Sequence, residues 1–136
     1  MAADTTVLAV DQGTSATKAI LVDRQGAVIA SASAPMTQSH PEPGWAEQDA
    51  LEIWKSVQAV VADCLQSHDP RSVAAVGLST QRESTLLWER ESGRPLGPVL
   101  GWQDGRGVLE QDCADAQVVR QRPYFVVDFQ IAEQFV

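Results

Sequence analysis

Apolar residues at the start of the chain come in short runs separated by polar turns. Runs of strand length occupy residues 7–10, 19–22 and 27–33, and the last two are separated by the turn 23–26. Such runs, bounded by Gly and Asp, indicate β-strands joined by hairpins. Turns this short join only antiparallel neighbours, so residues 6–34 are predicted to form a three-stranded antiparallel meander.

After Asp49 the spacing of apolar residues changes to three and four, which is typical of an amphipathic helix. Asp49 and Glu52 have the spacing of a capping box at its amino end. Pro70 ends the helix, because the residue before a proline is disfavoured in the helical conformation. The predicted apolar face consists of Ala50, Ile53, Trp54, Val57, Val60, Val61, Cys64 and Leu65.

The segment before this helix, residues 35–48, contains three prolines and Gly44 and is predicted to be an irregular loop. Trp45 within it either holds the loop against the protein body, which we favour, or contacts a ligand or partner. Beyond the helix, residues 73–79 form a near-continuous apolar run. Such a run indicates a strand covered on both faces and, after a helix crossover, parallel to a neighbour.

The remaining pattern is weaker. Short strands are predicted at 86–88 and 99–102, separated by a turn at 91–95, and a helix is a candidate at 108–114. Residues 121–136 alternate without a clear period. The whole pattern predicts an α/β fold with a mixed sheet, in which an antiparallel meander is followed by a helix crossover to a parallel strand.

Composition narrows the function classes. The chain has 136 residues, 44% of them hydrophobic, and a formal net charge of −8, which argues against non-specific binding to nucleic acid or anionic membranes. No secretory signal or bilayer-spanning run is present, so we expect a soluble cytoplasmic protein. Cys64 and Cys113 fit no metal-ligand spacing, and Cys64 is predicted to be a small core residue.

A polar turn joins the first two predicted strands. Gly13 allows a ligand to approach the backbone closely, and Thr14 and Ser15 offer hydroxyl and amide donors to phosphate oxygens. Asp11 suits a hydrated magnesium ion, and Lys18 can neutralise a phosphate charge. Taken alone, this pattern is met more often at a plain hairpin tip than at a phosphate site, so both interpretations stay open.

Arg82 and Glu83 follow the predicted strand at 73–79, at a strand end where ligand groups gather in open α/β sheets. Arginine supplies hydrogen-bond donors and glutamate supplies acceptors, so the adjacent pair can hold vicinal hydroxyl groups from both sides. A surface charge pair is the alternative. Trp102 is either an apolar wall for a carbon chain or a core residue.

Four segments stand in order along the chain. They are Asp11-Gln12-Gly13-Thr14 with Lys18, residues 43–49, residues 77–83, and Trp102-Gln103-Asp104-Gly105-Arg106. Together they resemble the amino-terminal part of the FGGY carbohydrate kinases, over residues 6 to about 110. Within that family, Gln81-Arg82-Glu83 is typical of the glycerol kinases.

The resemblance implies an actin-like, ribonuclease H-like ATPase fold and ATP-dependent phosphorylation of a small polyol, with glycerol as the first candidate. The residues it implies for ATP and its magnesium ion are Asp11, Gly13, Thr14, Ser15 and Lys18, with Asp11 as the acid near the metal. Those it implies for the substrate are Arg82, Glu83, Trp102 and Tyr124. Lys18 stands where glycerol kinases typically have arginine, so it keeps the charge and loses the two-pronged fork.

Family members are several times longer, and their catalytic base, an aspartate in a later Gly-Asp motif, has no counterpart here. We therefore expect a partial kinase domain over residues 1–120, a divergent tail over 121–136, and little or no turnover by this chain alone. A non-catalytic actin-like binding or regulatory module is the alternative. An Hsp70-like or actin-like ATPase shares the phosphate turn but does not account for residues 81–83. The expected partners are a small polyol and ATP, and the full-length family suggests a homo-oligomer.

Overall fold

The computed structural model describes residues 5–106 and the backbone of residues 124–128. The chain divides into two compact units, one from Met1–Met36 and Glu52–Thr80, the other from Thr37–Leu51 and Gln81–Val136. In chain order the elements are β1 (Thr6–Gln12), β2 (Ala16–Val22), β3 (Val28–Pro35), β4 (Glu47–Gln48), α1 (Ala50–Leu65), a 3₁₀ turn (Pro70–Ser72), β5 (Val73–Thr80), β6 (Thr85–Glu89), β7 (Val99–Leu100) and β8 (Tyr124–Asp128).

The first unit is built on a four-stranded sheet in the order β3-β2-β1-β5. β2 pairs antiparallel with both β1 and β3, and β5 pairs parallel with β1. The predicted meander, and the parallel strand reached after a helix, are therefore confirmed.

Helix α1 supplies the other half of the core of this unit. Asp49 is confirmed as the residue that caps its amino end, since the Asp49 side chain accepts a hydrogen bond of 2.7 Å from the Leu51 amide, and the capping box with Glu52 stays a prediction. Cys64 is 1% exposed, which confirms this cysteine as a core residue, and its burial raises the pKa of the thiol. The buried apolar cluster contains Leu8, Val10, Ala19, Leu21, Val60 and Cys64.

Two predictions about burial were wrong. Strand β5 was predicted to be covered on both faces, yet Val76 and Leu78 are 58% and 67% exposed. They lie in register with Leu8 and Val10, but β5 is the edge strand of the described sheet, and it packs against the core cluster at Val73 rather than at Val76 and Leu78. Trp54 was assigned to the apolar face of the helix and is 58% exposed, because the buried stripe of α1 is narrower than its apolar stripe.

The second unit contains a sheet in the order β4-β7-β6-β8 with antiparallel pairing. The predicted strand at 86–88 lies within β6, whereas the one predicted at 99–102 is observed at Val99–Leu100 and is followed by one further hydrogen bond in the same register, from the Gly101 amide to the Ala46 carbonyl. The candidate helix at 108–114 and Cys113 lie outside the described residues. Among the residues that are described, no helix has the length and apolar character needed to cross a bilayer.

Candidate functional site

The turn between β1 and β2 is tight and presents small polar groups. The Gly13 amide donates to the Ala16 carbonyl at 3.0 Å and closes the turn around Thr14 and Ser15. A Cβ at Gly13 would meet the same carbonyl oxygen at 3.1 Å, so a larger residue would have to push the backbone aside. Ser15 is exposed and Thr14 is half-buried. The turn therefore has the small size and accessible hydroxyl that a phosphate group requires.

Next to this turn, Asp11 and Lys18 lie directly opposite each other on β1 and β2. They alternate with the buried residues of each strand, so they are on the sheet face away from α1. In the same row, Ser33 of β3 is opposite Lys18, and Ser79 of β5 is opposite Asp11. All four residues are exposed. The row brings one carboxylate, one ammonium group and two hydroxyl groups onto one face.

The donor set on this face suits a hydrated magnesium ion carried by a nucleotide. Within the described ranges there is no group of three or more His, Cys, Asp or Glu side chains that could enclose a metal. Magnesium usually keeps several waters and is bound by one or two carboxylates together with substrate phosphates. The exposed carboxylate of Asp11 fits that pattern as a single protein acid.

Arg82 and Glu83 form the exposed tip of a turn that follows β5 and precedes β6. Glu83 has a φ of 61° and is the sole non-glycine residue with a left-handed backbone in the described part of the chain. For a residue with a Cβ, this conformation costs about 1–2 kcal/mol. Such strain persists where surrounding structure enforces it, and it is found most often at functional sites.

The surrounding structure is a set of buried polar side chains that sequence reasoning missed. Gln81 donates through Nε2 to Oε1 of Gln48 at 2.8 Å, and the hydroxyl of Ser84 donates to Oε1 of Gln81 at 3.2 Å. The sequence signal for this buried network was a polar residue on each side of the Arg82-Glu83 pair. That signal was not informative alone, because polar residues in a turn are ordinarily exposed.

A second polar cluster joins the loop around Trp45 to the segment after β7. The Asp104 carboxylate accepts hydrogen bonds from Arg106 Nη2 at 2.6 Å and from the Ala46 amide at 2.8 Å. Arg106 also donates to Glu47 at 2.7 Å, and its guanidinium lies 3.8 Å from the centre of the Trp45 ring. The hydrogen bonds from Arg106 hold the pKa of Asp104 well below its usual range. The contact between the Arg106 guanidinium and the Trp45 ring agrees with the interpretation that Trp45 holds the loop in place.

The other two predicted substrate residues are also in the second unit. Trp102 is 54% exposed, so core packing does not describe it within the residues that the structure covers. Tyr124 begins β8, where its backbone lies opposite Glu89 of β6, and its side chain lies outside the described atoms. The structure thus groups Asp11, Gly13, Thr14, Ser15 and Lys18 in one unit, and Arg82, Glu83, Trp102 and Tyr124 in the other.

Comparison with known proteins gives a family for this arrangement. The amino-terminal domain of the FGGY family of carbohydrate kinases matches residues 6–126. An apulose kinase from Pectobacterium atrosepticum is 40% identical over 126 residues, which are 90% of this chain and 25% of that protein. A glycerol kinase from Variovorax paradoxus is 39% identical over 132 residues, 91% of this chain and 26% of that protein. The chain thus spans about a quarter of the length of these curated relatives.

Solved structures agree with this result. A gluconate kinase from Lactobacillus acidophilus superposes with a TM-score of 0.72 at 28% identity, over 87% of this chain and 24% of that one. A Plasmodium falciparum glycerol kinase with ADP gives a TM-score of 0.70 at 25% identity, over 83% of this chain and 23% of that one. The fold is accordingly that of the actin-like ATPases, as expected from the resemblance. Because the family match spans most of the chain, this protein belongs to the FGGY family of carbohydrate kinases.

Proposed function

We propose that this chain supplies the amino-terminal part of an ATP-dependent kinase that phosphorylates a small polyol, with glycerol as the first candidate. The observation that carries this proposal is the turn at Arg82 and Glu83, where a cation and an anion are exposed side by side and the glutamate has a strained backbone. A polyol offers only hydroxyl groups, each both donor and acceptor, so this pair complements two neighbouring hydroxyls. Trp102, exposed in the same unit, supplies an apolar wall.

The relatives support a polyhydroxylated substrate and disagree about which one. The relatives near 40% identity include an apulose kinase and several glycerol kinases, and the similar structures include a gluconate kinase. Glycerol is favoured by the tripeptide at residues 81–83 and by the number of glycerol kinases among the curated relatives.

ATP is assigned to the β1–β2 turn on separate grounds. The small turn at Gly13 to Ser15 offers backbone and hydroxyl donors to phosphate oxygens, and Lys18 adds a positive charge on the adjacent row. Asp11 is the acid proposed to bind the water shell of the magnesium ion. When bound, that ion would neutralise charge on the transferred phosphoryl group. A similar structure contains ADP.

Chimeras test this function. In the first chimera, this chain replaces the aligned segment of the Variovorax paradoxus glycerol kinase. In the second, it replaces the aligned segment of the Pectobacterium atrosepticum apulose kinase. The two together control for the substrate preference of the protein that receives the segment. Both are assayed with Mg-ATP against glycerol, erythritol, xylulose, gluconate and apulose. We expect glycerol to be phosphorylated in both. If each chimera instead keeps the substrate preference of the kinase that received the segment, glycerol is removed from the proposal.

The role of Arg82 is tested in the active chimera. We expect Arg82→Ala to raise the KM for glycerol about tenfold or more, because a charge-assisted hydrogen bond is worth about 1.5–3 kcal/mol. Arg71→Ala is the matched control, since Arg71 is 90% exposed and pairs with Asp69 in the first unit, which holds none of the proposed substrate residues. An unchanged KM for Arg82→Ala would exclude this residue from the site.

A further inference from the structure

The turn at residues 81–84 has an unusual division of burial. Its two central residues, Arg82 and Glu83, are exposed, whereas the flanking Gln81 and Ser84 are 7% and 0% exposed. In an ordinary surface turn the polar flanking residues would be solvated as well. Here both ends of the turn are buried inside the second unit while the charged tip stays accessible.

The buried ends are connected by directional hydrogen bonds. The Gln81 side chain accepts from the Ser84 hydroxyl at 3.2 Å across the turn, and it donates to Gln48 at 2.8 Å. Gln48 is 2% exposed and lies on β4, opposite Val99 of β7. Through this trio the turn is attached to the sheet of its own unit by side chains as well as by the backbone.

Fully buried polar groups are expensive to leave without partners, so a satisfied network favours one geometry strongly. Apolar residues of similar size would fill the same space without specifying the direction of the turn. The trio is therefore suited to enforce the left-handed backbone of Glu83, which would otherwise relax to a more favourable conformation.

We propose that Gln48, Gln81 and Ser84 are positioning residues that hold the Arg82-Glu83 pair in the geometry in which it contacts neighbouring hydroxyl groups of a polyol. The trio does not touch the substrate and acts through the backbone of the turn. The part of this proposal that concerns the polyol rests on the proposed function, whereas the part that concerns the conformation of Glu83 does not.

The first test replaces Ser84 by alanine in the full chain. A left-handed residue gives a strong nuclear Overhauser effect between its own amide and α protons, so the conformation of Glu83 can be read directly by NMR. We expect Ser84→Ala to weaken this signal at Glu83 and to raise the Kd for glycerol, measured by chemical-shift titration, about three- to tenfold.

Ser56→Ala is the matched control. Ser56 is also a buried serine, 8% exposed, but it lies in the first unit, where its hydroxyl is hydrogen-bonded to that of Thr17 at 2.6 Å. It should lower stability comparably and leave both the Glu83 signal and the glycerol Kd unchanged. The proposal is overturned if Ser84→Ala leaves the Glu83 signal intact, or if Ser56→Ala changes it as much.

A second pair of variants guards against a simple loss of packing. Gln48→Met keeps the volume and removes the acceptor for Gln81, whereas Val99→Ala, at the buried residue opposite Gln48, loses volume and keeps the hydrogen bond. We expect the first to lose the Glu83 signal and the second to retain it. Equal behaviour of the two would assign the trio a packing role and overturn the proposal.

The two proposals fail in different ways. If the wild-type chain binds none of the polyols while its variants still change the Glu83 signal, the proposed substrate is wrong and the positioning role stands. If glycerol binds and Arg82→Ala weakens it, but Ser84→Ala changes neither readout, the proposed function stands and the positioning role is wrong.

Discussion

Glu83 holds a left-handed backbone conformation at φ 61° although glutamate carries a Cβ. Glycine adopts this region at no steric cost and is the usual residue there. At the three other positive-φ positions within residues 5–106 the chain does use glycine, namely Gly26, Gly44 and Gly93. A glutamate at this position therefore carries a conformational cost that glycine would not, which is consistent with the proposed role of its carboxylate.

Replacing Glu83 by glycine should make the protein more stable and weaken its ligand binding. We expect Glu83→Gly to raise the free energy of unfolding by about 1 kcal/mol, because the left-handed strain is removed, and to abolish measurable glycerol binding, because the acceptor is lost. Urea unfolding and NMR titration measure the two effects. Glu83→Ala separates them, since it removes the carboxylate and keeps the strain. A glycine variant that is less stable than wild type would contradict this account.

At the scale of elements, the loop before α1 is held by the segment that follows β7. Asp104, with a side chain 3% exposed, accepts from the Ala46 amide and from Arg106, and Arg106 reaches Glu47 and the Trp45 ring. The Gly105 amide adds a hydrogen bond of 2.8 Å to the Gly44 carbonyl. The Asp104 carboxylate is thus one of the contacts that hold a loop containing Pro41 and Pro43.

Removing that carboxylate should destabilise the second unit. We expect Asp104→Asn to lower the free energy of unfolding by about 2–4 kcal/mol at neutral pH, because Arg106 loses a buried charged partner. Denaturant unfolding at several pH values measures this. The folded-state pKa of Asp104 lies below that of the unfolded chain, so its contribution is complete at neutral pH and is lost as the pH falls below about 4.

The difference in the free energy of unfolding between wild type and Asp104→Asn should therefore become smaller at low pH. Asp69→Asn is the control: the Arg71 side chain also lowers the pKa of Asp69, but this pair is exposed to solvent. Exposed pairs contribute little, so this variant should change stability only slightly. A difference for Asp104→Asn that persists unchanged at low pH would show that packing rather than charge is responsible.

At the scale of the molecule, the chain covers about a quarter of the relatives' length and carries two groups of candidate site residues, one in each compact unit. Phosphoryl transfer requires a metal, a base and both substrates to be positioned around one phosphate. We propose that the chain by itself binds ligands without catalysing the transfer.

A coupled assay of the 136-residue chain with Mg-ATP and glycerol should accordingly give no turnover above background, whereas the glycerol kinase chimera is active. In that chimera, Asp11→Ala should lower kcat about tenfold or more, because the ligand for the metal's water shell is lost. Asp63→Ala, on the exposed side of α1, is the matched control. Robust turnover by the chain alone would contradict this prediction, and an unchanged kcat for Asp11→Ala would remove the metal assignment.

Local patterns predicted most of the first unit correctly. Short turns with Gly and Asp allow only hairpins, and three- and four-residue spacing after a capping residue allows little except a helix, so β1, β2, β3 and α1 follow from neighbours in sequence. The exposure of β5 was not predictable in this way. An apolar run has the same composition whether it lies at the centre or at the edge of a sheet, and only the order of the strands decides which.

The sequence by itself determined the family, the order of the strands along the chain and the residue types at the two candidate sites, because each of these depends on residues close together in the sequence. Only the tertiary structure decided which polar groups are buried and what they contact. The hydrogen bond between Gln48 and Gln81 joins residues far apart in sequence, and so does the one between Ala46 and Asp104. Such pairs leave no periodic trace, since they are brought together by strand pairing rather than by spacing.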